Sequence, residues 1–567
     1  MEMFLSRFLL KAVVFFAAAA AALLSGCDAG APEPIEPPAA GPLRLDGVTI
    51  VDTATGALTP GMSIWMDRGK IVRIAPASAA PTDPSVRSVD AAGRFVVPGY
   101  NNMHSHALAA DNASGAMAMM LVEGVTGFRQ MAGSPELLKA RRDGTLPLGK
   151  DAPALLAMPG NLLLPFNTVS AQDTVAEIRQ QKLDGADFIK IGMVSPAVFF
   201  TAISEARRVG LPALGHLQEG VDTSQASRAG FRSIEHLGPG DTIWAACSTQ
   251  EAALLADALL HPAMKAPPFK LPAFVQNFMA GRMHKLLINP MAFEAPADAT
   301  RLQRAFDAYS DEKCRALAAL FVANDTWNVP TLVRLKTQEL ADSEAYQNDP
   351  GLAYIPKDSV QEWREVTDTF RTLPPAMRAT YREAYRRQLA LTRLFSDAGV
   401  PMMTGTDGSG QAPGQSLAQE FDELEKAGLS ALKILQMTTL YPARFLGRTA
   451  HMGRVAVGGD ADLVMLDADP VASVQNMHRI AGVVRAGIYR SRQDLDALAA
   501  RVAAGQGQLR CRIPRGVSRP QRPRCPEPSH TSTRADPARR SSGFPEGPDR
   551  PAGAPCRRRY RGPARAP

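Results

Sequence analysis

The feature that most constrains this 567-residue chain is a succession of short apolar stretches, each followed by a polar loop and a helical pattern. They are FVVPGYNNM, GVTGFRQM, PALLAMPG, DFIKIGM, LPALGH, SIEHLG, NVPTLV and PMMTGTDG, all between Phe95 and Gly408. Short apolar strands alternating with helices argue for a parallel α/β architecture. Eight such units predict a (β/α)8 TIM barrel over residues 98–449. Helices are expected at TVAEIRQQKLDG, SPAVFFTAISEARRVG and SLAQEFDELEKAG. The last opens with Ser416 and Gln419 at capping-box spacing and sets Leu417, Phe421 and Leu424 on one stripe.

Two all-β patches flank the barrel. PLRLDGVTIVDTATG and SIWMDRGKIVRIAP alternate apolar and polar residues between Gly and Asp turns, and GRVAVGGDADLVMLDADP with IAGVVRAGIYRS repeats the pattern at the far end. They predict one small β-sandwich composed of residues 43–97 and 450–492. The interval 239–327 is too long for a βα connection and reads as a helical insertion, either a lid over the barrel mouth or padding of the outer ring. Ser248 and Glu251 sit at capping-box spacing within it. A further helical stretch is expected over roughly 340–397.

At the N-terminus, Arg7 and Lys11 precede a 13-residue apolar run, AVVFFAAAAAALL. A membrane-spanning helix needs about 20 residues, so the run suits the h-region of a signal peptide, residues 1–26. It ends in Leu24-Ser25-Gly26-Cys27, which resembles a bacterial lipobox and implies lipidation of Cys27 on the periplasmic side of a bacterial membrane. Residues 27–42, rich in Pro and Ala, form the expected tether. From Arg510 to Pro567 there are fifteen Arg, no Lys and four acidic residues, a charge of +11 against +7 for the whole chain. The basic balance therefore belongs to the tail, and the body, at −4, carries no argument for nucleic-acid binding. The tail is expected to be disordered. It reads as a basic arm or as GC-rich DNA translated out of frame, and Arg without Lys favours the second. Of six cysteines only Cys247 and Cys314 fall in the body; the sequence leaves their pairing open.

Residues i and i+2 of a strand face the same way, so His104 and His106 can both face the barrel axis at the end of the first barrel strand. Barrel enzymes place their chemistry at such strand ends. His216 closes LPALGH, His236 closes SIEH, Asp407 closes TGTD, and Lys190 lies inside DFIKIGM. Imidazoles with a carboxylate are the ligand set for Zn²⁺ or a related divalent ion. Lys190 alternates with Ile189 and Ile191 and should point inward, where burial lowers an ammonium pKa.

These residues, in PGYNNMHSH, GADFIKIG, LGH, IEH and GTDG, resemble the metal-dependent amidohydrolase superfamily, closest to its imidazolonepropionase-related and prolidase-like carboxypeptidase branch. The resemblance spans about 43–492 and includes YPARFLG and GRVAVGGDADLVMLD. It implies two divalent ions, zinc first among them, bridged by a CO2-derived carbamate on Lys190. His104, His106 and Asp407 would hold one ion, and His216 and His236 the other. Imidazolonepropionase has no lysine at this position, so Lys190 points to the binuclear members.

The expected activity is hydrolysis of a C–N bond in an amide, peptide or cyclic amide by a metal-bridging hydroxide, with Asp407 as base and then acid. Substrates are expected to be a small N-acyl amino acid, a dipeptide or a cyclic amide. Arg129 and Gln130, after the second barrel strand, are candidates to meet a substrate carboxylate. Rival readings are a lactonase or phosphoesterase on the same site, or a non-catalytic lipid-anchored binding protein. Membrane contact is expected through the anchor only, with no nucleic-acid partner; the oligomeric state is open.

Overall fold

The computed structural model describes residues 41–505 except 80–82, 239, 262–266, 268, 273–274, 277, 279–283, 409–412 and 415. The expected signal segment, Cys27, most of the tether and the basic tail lie outside the described residues. In chain order the strands are β1 (Leu43–Val51), β2 (Leu58–Asp67), β3 (Lys70–Pro76), β4 (Arg87–Asp90), β5 (Phe95–Pro98), β6 (Tyr100–Ser105), β7 (Val125–Gln130), β8 (Ala154–Ala157), β9 (Ile189–Ile191), β10 (Ala213–Gly215), β11 (Ser233–Glu235), β12 (Trp327–Val329), β13 (Leu463–Leu466), β14 (Ile480–Arg485) and β15 (Ile488–Ser491).

The chain's two β patches meet in one hydrogen-bonded sheet of eight strands, ordered β15-β14-β13-β5-β1-β2-β3, with β4 also against β1. Strand β1 bends to serve two partners: Leu43–Asp46 pair with β4, and Thr49–Ile50 with β5. Gly47, at φ +79°, makes the bend between them, and a Cβ there would lie 3.2 Å from the Ala92 Cα. Leu45, Val48, Ile64, Val96, Leu463 and Val484 form this sheet's own core, drawn from both ends of the sequence.

FVVPGYNNM is two strands rather than one. β5 pairs with β13 in the outer sheet, whereas β6 pairs in parallel with β7. The chain passes between them at Gly99, whose N–H donates to Asp462 O at 2.8 Å and where any side chain would overlap Thr126.

The middle of the chain is a mixed α/β assembly with two curved parallel sheets, β6-β7-β8 and β9-β10-β11-β12. The segment after β8 reaches the second sheet by a parallel bridge from Leu163 to Ile191. PMMTGTDG forms no regular strand. Its residues reach both sheets by single bridges, Met402 to Asn328 and Gly408 to Ser105. Gly405 permits this approach, since a Cβ there would come within 2.9 Å of the His104 backbone nitrogen.

Helix Pro196–Arg208 begins with the Ser195 hydroxyl accepting from Val198 N and a proline in its first turn. Helix Ala171–Asp184 ends at Gly185 with φ +87°. Helix Leu417–Lys426 has the Ser416–Gln419 capping box on both sides. The Ser248–Glu251 box does not form: Ser248 Oγ accepts from Gln250 N at 3.0 Å, and helix Glu251–Leu260 starts without a side-chain cap. Ser248 is instead held by its bridge to Tyr309, inside the insertion. The described residues of 239–327 are mostly helical, with Cys247 and Cys314 buried and bonded across 67 residues of sequence.

Candidate metal centre

Strand β6 delivers His104 fully buried, and His106 follows with its side chain about a quarter exposed. The Nε2 atoms of both lie 2.9 Å from Asp407 Oδ1. Asp407 reaches them because its φ of +54° turns the chain out of the extended conformation just after the backbone has paired with His104. On β11 a similar turn matters more. Alternation would place Glu235 and His236 on opposite faces. Positive φ at His236 (+58°) and Leu237 (+53°) breaks the alternation, and both side chains reach His104.

Four imidazoles consequently stand in a row. Ring centroids are 5.4 Å apart for His106 and His104, 4.6 Å for His104 and His236, and 5.1 Å for His236 and His216. Burial holds His216 and His236 well below the usual histidine pKa, against the opposing pull of the Asp407 carboxylate. Both are therefore neutral imidazoles, the form that binds metal.

Proton placement on His104 is decided by its partner. Its Nδ1 lies 2.7 Å from Glu235 Oε2, an acceptor-only carboxylate, so Nδ1 carries the proton and Nε2 keeps its lone pair. That Nε2 is buried, has no hydrogen-bond donor, and faces a carboxylate oxygen. Two lone pairs converging at this distance fit a cation between them. Among the described residues, His104, His106 and Asp407 also form a group of three ligand atoms lying within 4.8 Å of one another.

Glu235 is held in turn by Arg129. Arg129 Nη2 donates to Glu235 Oε1 at 2.8 Å, and its Nε donates to Met103 O at 2.6 Å. Burial pushes the Glu235 carboxyl up, but the Arg129 guanidinium and His104 outweigh it and hold it far below the carboxylate range.

Lys190 is buried on β9, and its Nζ has no hydrogen-bond partner among the described residues. Burial lowers its pKa to about 8, against the opposing pull of Glu235 and Asp407. An amine so placed is partly neutral near physiological pH and able to react with an electrophile such as CO2.

Two expected substrate contacts are corrected. Arg129 is fully buried and committed to Glu235 and Met103, beneath the histidines. Gln130 is buried too, its Oε1 accepting from Leu108 N at 3.2 Å and its Nε2 donating to Ala132 O at 2.9 Å. Neither is available to a substrate carboxylate. Conversely, Glu235, Thr331 and Arg334 were not singled out from sequence. Thr331 Oγ1 lies 2.6 Å from His236 Nδ1, and Arg334 Nε donates to Asp407 Oδ2 at 2.9 Å. A carboxylate beside His236 in a buried SIEH strand was a usable clue for Glu235; the pairing of Arg334 with Asp407 left no local trace.

Residues 376–489, which include Asp407, match the Amidohydrolase family. No curated protein matches the chain. Among solved structures, the fold is similar to an Xaa-Pro dipeptidase with bound methionine (17% identity, TM-score 0.52, covering 79% of this chain and 100% of that one). It is also similar to a bottromycin amidohydrolase (21%, TM-score 0.58, 82% and 90%) and to a putative prolidase from Bifidobacterium longum (20%, TM-score 0.51, 82% and 100%). An amidohydrolase-family segment carried on this fold supports an amidohydrolase enzyme, a hydrolase acting on amide bonds.

Proposed function

We propose that the protein is a binuclear metal-dependent amidohydrolase, built on a complete (β/α)8 barrel and cleaving a small N-acyl amino acid, dipeptide or cyclic amide. The observation that carries this reading is the buried, donorless His104 Nε2 converging with His106 Nε2 on Asp407 Oδ1. His104, His106 and Asp407 would hold one ion, His216 and His236 the second, with Lys190, as a carbamate, shared between them. Divalent ions, zinc first among them, supply Lewis acidity and a nucleophilic hydroxide at neutral pH when bound.

The chain's own residues do the rest. Arg129 and Glu235 keep the His104 proton on Nδ1. Thr331 orients the His236 ring. Asp407 takes a proton from the attacking water and returns it to the departing nitrogen. Export and lipidation at Cys27 belong to the same proposal, and the Cys247–Cys314 bond supports an oxidising compartment.

Amine release is measured from a panel of N-acyl amino acids, dipeptides and cyclic amides. Hydrolysis of at least one class, abolished by a chelator and restored by zinc, is the expected result. Chelator-insensitive turnover, or none by protein whose metal content has been verified, contradicts it.

A further inference from the structure

The helical insertion is linked to the candidate metal centre by Arg334, a side chain just outside it. Arg334 lies in the first turn of helix Leu332–Glu339, which is pinned at its start by Glu420 Oε2 accepting from Val333 N at 2.8 Å. Its guanidinium has carbonyl partners on one side and a carboxylate on the other. Nη1 donates to Ile288 O at 2.8 Å and Nη2 donates to Leu287 O, the final residues of insertion helix His284–Ile288. Nε donates to Asp407 Oδ2. The next residue of the insertion, Asn289, is fastened to the same helix, its Nδ2 donating to Gln338 O at 3.0 Å. Leu287 and Ile288 therefore cannot shift without moving the guanidinium or breaking its bonds.

Asp407 has two oxygens with different duties. Oδ1 faces His104 and His106, and Oδ2 is taken by Arg334. A carboxylate held at one oxygen by a buried, charged donor cannot rotate freely to present the other. Groups that orient metal ligands in this way alter metal affinity by about 10–100-fold.

We infer that Arg334 is a positioning residue by which the insertion holds Asp407 in its ligating orientation, so that the insertion sets metal affinity rather than merely covering the barrel mouth. The inference rests on the metal reading proposed above. It requires that disturbing the insertion near residue 289, away from any ligand, be felt at the ion, and only while Arg334 is present.

Zinc dissociation constants are measured by competition with a chromophoric chelator for the full chain and its R334M, R334K, N289A and R334M/N289A variants, with thermal unfolding in parallel. R334M should weaken binding about 10–100-fold, and R334K by less because it keeps the charge but not the fork. N289A should weaken binding a few-fold, and adding it to R334M should change nothing further, the non-additivity expected of residues acting in series. If R334M does not fold, R334K and N289A carry the comparison. Unchanged affinity in folded R334M overturns the inference and leaves the metal reading intact. So does an N289A effect that persists in full without Arg334. A wild-type chain that binds no zinc overturns the proposed function, and this inference with it.

Discussion

Replacing Glu235 by glutamine changes one atom and should be among the costliest substitutions at the site. All three partners of this carboxylate are donors: Arg129 Nη2 and Ser233 Oγ at Oε1, and His104 Nδ1 at Oε2. A glutamine has one acceptor oxygen and one NH2, so either orientation sets its NH2 against a donor. Facing Arg129, it leaves a fully buried guanidinium without its counter-charge, a loss of about 3–5 kcal/mol. Facing His104, it drives that ring to the tautomer whose Nε2 carries hydrogen and can no longer serve as a ligand. With an unfolding entropy of about 2.1 cal/mol/K per residue, roughly 1 kcal/mol/K for a chain of this size, the melting temperature should fall by about 3–5 °C. Calorimetry of E235Q, R129M and R129M/E235Q tests this. The double variant should lose less than the sum of the singles, since it removes the charge that E235Q strands. An E235Q melt within about 1 °C of wild type, or strict additivity, would mean that the buried Arg129 does not depend on the Glu235 charge.

Two other perturbations have signed outcomes. Reducing or replacing the Cys247–Cys314 pair frees a loop closed across 67 residues, for an expected loss of about 4 kcal/mol, read as a lower melting temperature under dithiothreitol that a C247S/C314S variant does not show further. Burial pushes the Glu294 carboxyl up to about 7, partly offset by the Tyr381 hydroxyl donating to it at 2.7 Å. A raised carboxyl contributes stability that is complete below its unfolded value of 4.5 and lost as pH rises through about 7. Glu294→Gln should therefore gain on wild type between pH 5 and pH 8 by about 1–2 kcal/mol in urea unfolding, and equal differences at both pH values would count against it.

Much of the convergence was legible because it lies in polar residues interrupting apolar strands. His104, His106, Lys190, His216, His236 and Asp407 each stand out against a buried stretch, and the fold draws them to one place. What the local pattern hid depends on contacts across long separations or on breaks in regular geometry. Glu235 faces the site together with His236 only because two residues take positive φ. Arg129 is 106 residues from Glu235, and Arg334 is 73 from Asp407, so neither pairing marks its own segment. The division of FVVPGYNNM between two sheets turns on a packing contact at Gly99 that no periodicity carries. PMMTGTDG is apolar enough for a strand but is held by single bridges, because its final residues turn away to aim Asp407.

A two-ion centre organised around Lys190 is decided by the divalent metal content per chain of the wild-type protein and of K190A, both purified without chelator and reloaded with zinc and bicarbonate. Close to two ions in the wild type and at most one in K190A are expected. A wild type without metal, or a K190A chain that holds as many ions as the wild type, would contradict it.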